Sequence, residues 1–200
     1  MEYPQWTFAQ AEGWERWLAQ HHATSPGVWL RLGKRSSPLK TLSYVEAVEI
    51  ALCFGWIDGQ VRSLGAEAYQ QKFTPRRPRS LWSKVNRARA EAMIQSGRMR
   101  PAGLQEVERA RRDGRWNAAY DSPSTAQVPA DLQAALEACP KASVRFGQLS
   151  AQQRYSALHQ IQIARTSDTR ARRIGRLVQS WSDDPTPDVG EPSSSPTEPG

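Results

Sequence analysis

The densest chemistry lies in Phe73-Thr74-Pro75-Arg76-Arg77-Pro78-Arg79-Ser80-Leu81-Trp82-Ser83-Lys84-Val85-Asn86-Arg87. Three arginines sit within four residues, framed by prolines that restrict the backbone. A guanidinium fork binds phosphate or carboxylate through paired hydrogen bonds. Ser80 reads as the N-cap of a helix running to about Ser96 and closed by Gly97, and a helix start adds free N–H groups and a favourable dipole for anions. Trp82 supplies a ring for stacking, and Ser80 and Asn86 supply orienting polar groups. Arg76, Arg77, Arg79, Ser80, Trp82 and Asn86 are therefore the candidate ligand or anion site. The plainer alternative is a surface loop whose arginines pair with nearby acids or water.

A second segment, Phe54-Gly55-Trp56-Ile57-Asp58-Gly59-Gln60, carries a carboxylate beside a large aromatic. Asp58 is the candidate catalytic residue, as acid/base or hydrogen-bond acceptor in a pocket between Trp56–Asp58 and Phe73–Asn86. The structural alternative has Trp56 filling core and Asp58-Gly59 making a tight turn. A third segment puts Arg170, Arg172, Arg173 and Arg176 on one helix. Such a face is either solvated or a secondary basic surface for phosphate contacts.

Other chemistries lack their signatures. Phosphate-cradling glycine motifs, a G-x-S-x-G elbow and H-E-x-x-H are absent. His21 and His22 are adjacent, so on a helix they point about 100° apart, and His159 has no metal-spaced partner. Cys53 and Cys139 are far apart and outside any C-x-x-C, and Cys53 falls in an apolar helical pattern as a packing residue. No metal site and no cofactor are expected, and no reaction is specified.

The elements that hold these segments follow from periodicity. Thr7 with Gln10 predicts a capping box opening a helix with Phe8, Ala11, Trp14 and Leu18 inward. Val28 to Leu32 alternates as a strand. Ser43 with Glu46 caps a helix that ends at Gly55. Val61–Leu64 and Ala68–Thr74 are strand candidates around Gly65. A helix from Pro101 to Gly114 turns Leu104 and Val107 inward. Asp131 to Ala138 is helical and stops at Pro140; Ser150 with Gln153 caps another helix carrying Tyr155, Leu158, Ile161 and Ala164. The last helix starts at Ser167 or Asp168 and faces Ala171, Ile174, Val178 and Trp181 inward.

This organisation predicts an α+β fold: a small sheet with packed helices in the N-terminal part, a helical C-terminal part and a disordered tail. The boundaries are 1–116 for the α+β core, 117–129 for a linker, 130–181 for the helical region and 182–200 for an acidic, Pro/Ser-rich tail. The chain has 200 residues and a formal charge of +7. Five of its 20 acids lie from Asp183 onward, with no Lys or Arg there, which leaves 15 acids against 27 basic residues before it, or +12. Such a balance attracts anionic partners, a small molecule or a nucleic acid. No apolar run reaches the roughly 18 residues of a membrane span, and no secretory signal opens the chain, so a cytoplasmic location is expected. Nothing in the sequence fixes an oligomeric state.

Several of these segments resemble the YdeI/OmpD-associated family, also labelled bacteriocin-protection proteins. The resemblance rests on Gly27-Val28-Trp29-Leu30, Tyr44-Val45-Glu46-Ala47-Val48, and Ala51-Leu52-Cys53-Phe54-Gly55-Trp56-Ile57-Asp58-Gly59. It continues through Phe73-Thr74-Pro75-Arg76-Arg77 with Ser80, Trp82, Ser83 and Asn86, then Gly97, Met99 and Gly103, and Thr169-Arg170-Ala171-Arg172-Arg173-Ile174. It extends over roughly residues 5–181. It implies a bacterial cytoplasmic protein with an α+β fold and supplies no mechanism and no catalytic residue.

Three functions fit these features. The first is a stress or protection protein binding an anionic partner through the arginine loop. The second is a small-molecule enzyme or ligand-binding protein with its pocket near Trp56 and Asp58. The third is a nucleic-acid-binding protein in a stress or DNA-damage response, using the arginine-rich helices.

Overall fold

The structure is a computed structural model and describes residues 3–183. The chain forms two compact units, Met1–Tyr120 and Asp121–Gly200. Of the tail expected over 182–200, residues 182–183 close the last helix instead, and 184–200 lie outside the described residues.

The N-terminal unit is a mixed sheet packed with helices. Strands β1 (Gln5–Trp6), β2 (Val28–Gly33), β3 (Trp56–Ser63) and β4 (Ala68–Pro75) lie in the order β1-β2-β4-β3. β1 runs parallel to β2, and both other pairings are antiparallel. Helices α1 (Ala11–His21), α2 (Tyr44–Cys53), α3 (Lys84–Gln95) and α4 (Pro101–Arg112) complete the unit. Val28, Leu30 and Phe73 from the sheet share one core with Trp14, Leu18, Val48, Leu52 and Trp56. Each large apolar side chain buried there contributes about 1.5–3 kcal/mol relative to exposure.

The cap at Ser43 forms as the spacing predicts: Ser43 Oγ accepts from the Glu46 N–H at 3.2 Å, and the Ser43 N–H donates to Glu46 Oε2 at 2.8 Å. Gly55 follows α2 at φ +74°. α4 then crosses the end of α2 so closely that a Cβ on Gly103 would stand 2.4 Å from the Cys53 carbonyl oxygen. Gly103, Glu106, Val107 and Ala110 face inward, whereas Leu104, expected inside, is exposed.

Other expectations change. The first helix opens at Ala11, with Gln10 at the N-cap and no side-chain cap, because the chain before it is drawn into the sheet. The Trp29 N–H donates to the Pro4 carbonyl and the Leu42 N–H to the Phe8 carbonyl. Asp58-Gly59 is not a tight turn. β3 runs through it with a register shift between Asp58 and Val61, and the chain reverses at Gly65, where the Leu64 N–H donates to the Ala68 carbonyl.

The C-terminal unit is helical: α5 (Ala130–Glu137), α6 (Pro140–Gln148), α7 (Ala151–Gln162) and α8 (Ser167–Asp183). Leu132, Leu136, Phe146, Leu158, Ile161, Ile174 and Trp181 form its core. The Ser150–Gln153 capping box forms. Pro140 opens α6 rather than only ending α5, since proline at the first helical position loses no hydrogen bond. Ala171 is exposed, and Ile174 and Trp181 carry the buried face of α8. Within 117–129, the adjacent residues Tyr120 and Asp121 are each bonded into a different unit. The Tyr120 N–H donates to the Trp82 carbonyl within the N-terminal unit. In the C-terminal unit, the Asp121 N–H donates to Gln162 Oε1 at 3.0 Å.

Candidate functional site

The arginine segment does not open a helix where the sequence suggested. α3 begins at Lys84 with Ser83 as N-cap, its Oγ accepting from the Asn86 N–H at 3.1 Å. Ser80 instead closes a turn: the Arg77 N–H donates to Ser80 Oγ and the Ser80 N–H to the Arg77 carbonyl, both at 2.9 Å. The arginines therefore precede the helix by a full turn of chain. The helix dipole, which fades within one turn, is not what charges this loop.

The three arginines have different surroundings. Arg76 is only 6 % exposed. Its N–H donates to the Gly55 carbonyl at 2.9 Å, which fixes the loop to the end of α2. Its guanidinium lies 3.5 Å from the centre of the Trp82 ring, and Nη1 donates to the Leu81 carbonyl at 3.1 Å. Nε and Nη2 are buried and have no hydrogen-bond acceptor among the described residues. Among the described residues, no carboxylate approaches within ion-pair distance of them. Arg77 and Arg79 are exposed, and neither has an ion-pair partner among the described residues.

Burial pulls the Arg76 guanidinium down to about 10, opposed by the fields of Glu106, Tyr120 and Asp58. Glu106 is itself buried, and that burial raises its carboxyl despite Arg109, Arg76 and Arg115. Its Oε1 pairs with Arg109 Nη2 at 3.1 Å, and its Oε2 is buried without a partner. A positive charge thus sits under the loop, balanced only through space.

Trp82 is a structural member of this cluster. It is 2 % exposed, with the Arg76 guanidinium over its ring and the Trp116 ring centre 4.9 Å from its own at a steep angle. A ring this buried does not serve as an open stacking platform, which corrects the expectation for Trp82. Asn86 is buried too, and its Oδ1 accepts from Arg89 Nη1 at 3.3 Å. Sequence reasoning missed Arg115. It is buried, paired with Asp113 at 2.8 Å, and donates to the Ser80 carbonyl at 2.6 Å. It supports the loop from 35 residues away, and no local pattern marks it.

Asp58 lies on the same side of the sheet as Phe73. The Tyr44 hydroxyl donates to its Oδ2 at 2.7 Å. Burial first and Asp58 second raise the Tyr44 hydroxyl far above its ordinary value, so Tyr44 stays a neutral donor. Asp58 Oδ1 accepts no hydrogen bond among the described residues. A cleft of about 490 Å³ beside Phe54 is lined by Ala19, His22, Phe54, Arg100, Pro101 and Ala102, not by Asp58.

The basic face of α8 is partly consumed by its own unit. Arg170 makes a bidentate pair with Asp131 at 2.6 and 2.9 Å and donates to the Ile161 carbonyl. Arg173 donates to the Gln160 carbonyl. Both thereby satisfy the last carbonyls of α7. Arg172 donates to the Asp168 carbonyl of its own helix, and Arg176, exposed like Arg172, makes no such contact among the described residues.

Among the described residues, no helix is long and apolar enough to cross a membrane. No group of three His, Cys, Asp or Glu is placed among them to hold a metal ion.

Comparison with family models divides the chain in a similar way. Residues 6–106 match a Domain of unknown function (DUF8412). The chain belongs to that family. Residues 125–183 match the family described as Bacteriocin-protection, YdeI or OmpD-Associated. The resemblance read from the sequence therefore holds over the C-terminal helices. The motifs around Asp58 and Arg76 fall within the domain of unknown function. No curated protein and no solved structure matches the chain.

Proposed function

We propose that this is a protection protein that works by binding an anionic partner, not by turning over a substrate, and that the Arg76–Asn86 segment receives that partner. Arg77 and Arg79 are the contacting cations. Arg76 lies beneath them and adds a positive field to the loop surface that Glu106 and Asp58 offset only through space, because a charge in a low-dielectric interior is weakly screened. Ser80 holds the turn, and Trp82 and Asn86 fix the base on which the loop rests. The observation that carries this reading is the buried Arg76 guanidinium, whose Nε and Nη2 face no acceptor. The match of 125–183 to a bacteriocin-protection family supports the protective role. Isothermal titration with pyrophosphate at fixed ionic strength tests the binding. Arg77→Gln/Arg79→Gln should weaken it at least tenfold. Unchanged affinity in that variant removes the loop from the function.

A second reading is favoured by one observation. Asp58 is oriented by Tyr44 at 2.7 Å, and its Oδ1 has no hydrogen bond among the described residues. It would then accept a donor from a small ligand, with Arg76 and Tyr120 in its field. Asp58→Asn separates the two readings. It should leave pyrophosphate affinity unreduced under the first and abolish binding of a hydrogen-bond-donating ligand under the second.

A further inference from the structure

The sheet of the N-terminal unit has a second face that the core does not use. The register places Trp29 opposite Lys72, and Arg31 opposite Gln70, which in turn faces Arg62. Side chains alternate along a strand, so these residues share the face turned away from Val28, Leu30 and Phe73. Trp29 is nevertheless only 3 % exposed. Its cover is cationic: the Arg62 guanidinium lies 4.2 Å from its ring centre, and Lys72 Nζ stands 5.9 Å from it and 4.3 Å from the Tyr3 ring. Gln70 is likewise buried on this face.

Long basic side chains covering an aromatic is ordinary for an exposed sheet. What marks this face is that three cations lie on it together and no acidic residue shares it in the strand pairings. Arg31, Arg62 and Lys72 have no ion-pair partner among the described residues. Arg62 reaches across β4, so its guanidinium lies over Trp29, the residue paired with Lys72, and Arg31 stands two residues along β2 from Trp29, about 7 Å away. Three cations gathered on one face match a run of phosphates better than one small ion. Arg62 is exposed and its planar guanidinium lies over Trp29, and a guanidinium plane is a surface on which an unpaired base can stack.

We infer that this face binds single-stranded nucleic acid, phosphates on Arg31, Arg62 and Lys72 and a base on the Arg62–Trp29 stack. The site is separate from the Arg76–Asn86 loop and does not depend on it.

Fluorescence anisotropy with a labelled 12-nucleotide single strand tests this on the full chain. Arg31→Gln/Arg62→Gln/Lys72→Gln is compared with Arg77→Gln/Arg79→Gln, and both variants are checked for the wild-type circular dichroism spectrum. Binding should weaken with salt at a log–log slope near −2 for three phosphates. The sheet-face variant should lose at least tenfold in affinity, and the loop variant less than threefold. A single Lys72→Gln change should reduce the slope by about 0.7, a readout that survives if the triple variant folds poorly. Equal losses in the two multiple variants, equal or tighter binding to a duplex of the same length, or binding only to vesicles of anionic lipid would overturn the assignment.

Discussion

Arg76→Met removes the charge under the loop and keeps an unbranched side chain of similar reach. Its effect on stability can be worked from the surroundings. Burial pulls the guanidinium down to about 10, which corresponds to about 3 kcal/mol against the charged form. Nε and Nη2 have no acceptors, so methionine leaves nothing unsatisfied in their place. Against this, the variant loses the stacking on Trp82 at 3.5 Å, about 1–2 kcal/mol when desolvated. It also loses the hydrogen bond to the Leu81 carbonyl, about 1.5–3 kcal/mol for a charged donor. The terms nearly cancel, as they often do when a buried charge is replaced by an apolar group. Urea unfolding of the unliganded protein should therefore give Arg76→Met within about 2 kcal/mol of wild type. Pyrophosphate at one hundred times its dissociation constant should stabilise the wild type by about 2.7 kcal/mol and the variant by much less. A loss of more than about 4 kcal/mol without ligand would make Arg76 a structural keystone. Equal stabilisation of both proteins by pyrophosphate would refute a role in binding.

Three further outcomes follow from packing and electrostatics. Gly103→Ala places a Cβ 2.4 Å from the Cys53 carbonyl oxygen and 2.6 Å from that of Leu52; both are backbone, so denaturant unfolding should show a loss of about 3 kcal/mol or more. Burial pushes the Cys53 thiol up to about 11, so thiolate is scarce at pH 8. Iodoacetamide should label Cys53 only after unfolding, while the part-exposed Cys139 labels in the native state. The Arg170 hydrogen bond holds the Asp131 carboxyl below its ordinary value. The folded form is thus the stronger acid, and the pair's contribution is present above the ordinary carboxylate range and lost as pH falls through the lowered value. Asp131→Asn should cost under about 1 kcal/mol at neutral pH, given its exposure, and the gap to wild type should close as the pH is lowered in parallel unfolding titrations.

Local signals in the sequence were legible where no distant partner overrode them; the Thr7–Gln10 box and the Asp58-Gly59 turn, equally local, gave way to the sheet. The caps at Ser43 and Ser150 need only a residue three positions on, and both form. The Val28–Leu32 alternation and the reversal at Gly65 are equally local. What escaped depends on distant partners. β1 is two residues held by parallel pairing with β2, more than twenty residues away, and propensity has no means of marking it. Ser80 and Ser83 are both adequate caps in sequence. The choice falls to Ser83 because Ser83 forms a bridge with Tyr120 and Arg115 draws the Ser80 carbonyl into its own hydrogen bond. The arginine loop itself was recognisable from composition. That Arg76 turns inward and Arg77 and Arg79 outward follows from the anchoring of the Arg76 N–H on Gly55, a tertiary fact. Trp82 shows the same limit, since its ring is buried beside Trp116, a distant residue in the chain.

The central claim is tested most directly by a nuclear magnetic resonance titration with pyrophosphate that follows arginine Nε–H signals and backbone amides together. Arg76, Arg77 and Arg79 should shift in concert with the amides of 77–80 and saturate with one dissociation constant. Shifts that never saturate and spread equally over Arg172 and Arg176 would mean that pyrophosphate merely follows the net positive charge, and that the loop over Arg76 is no site at all.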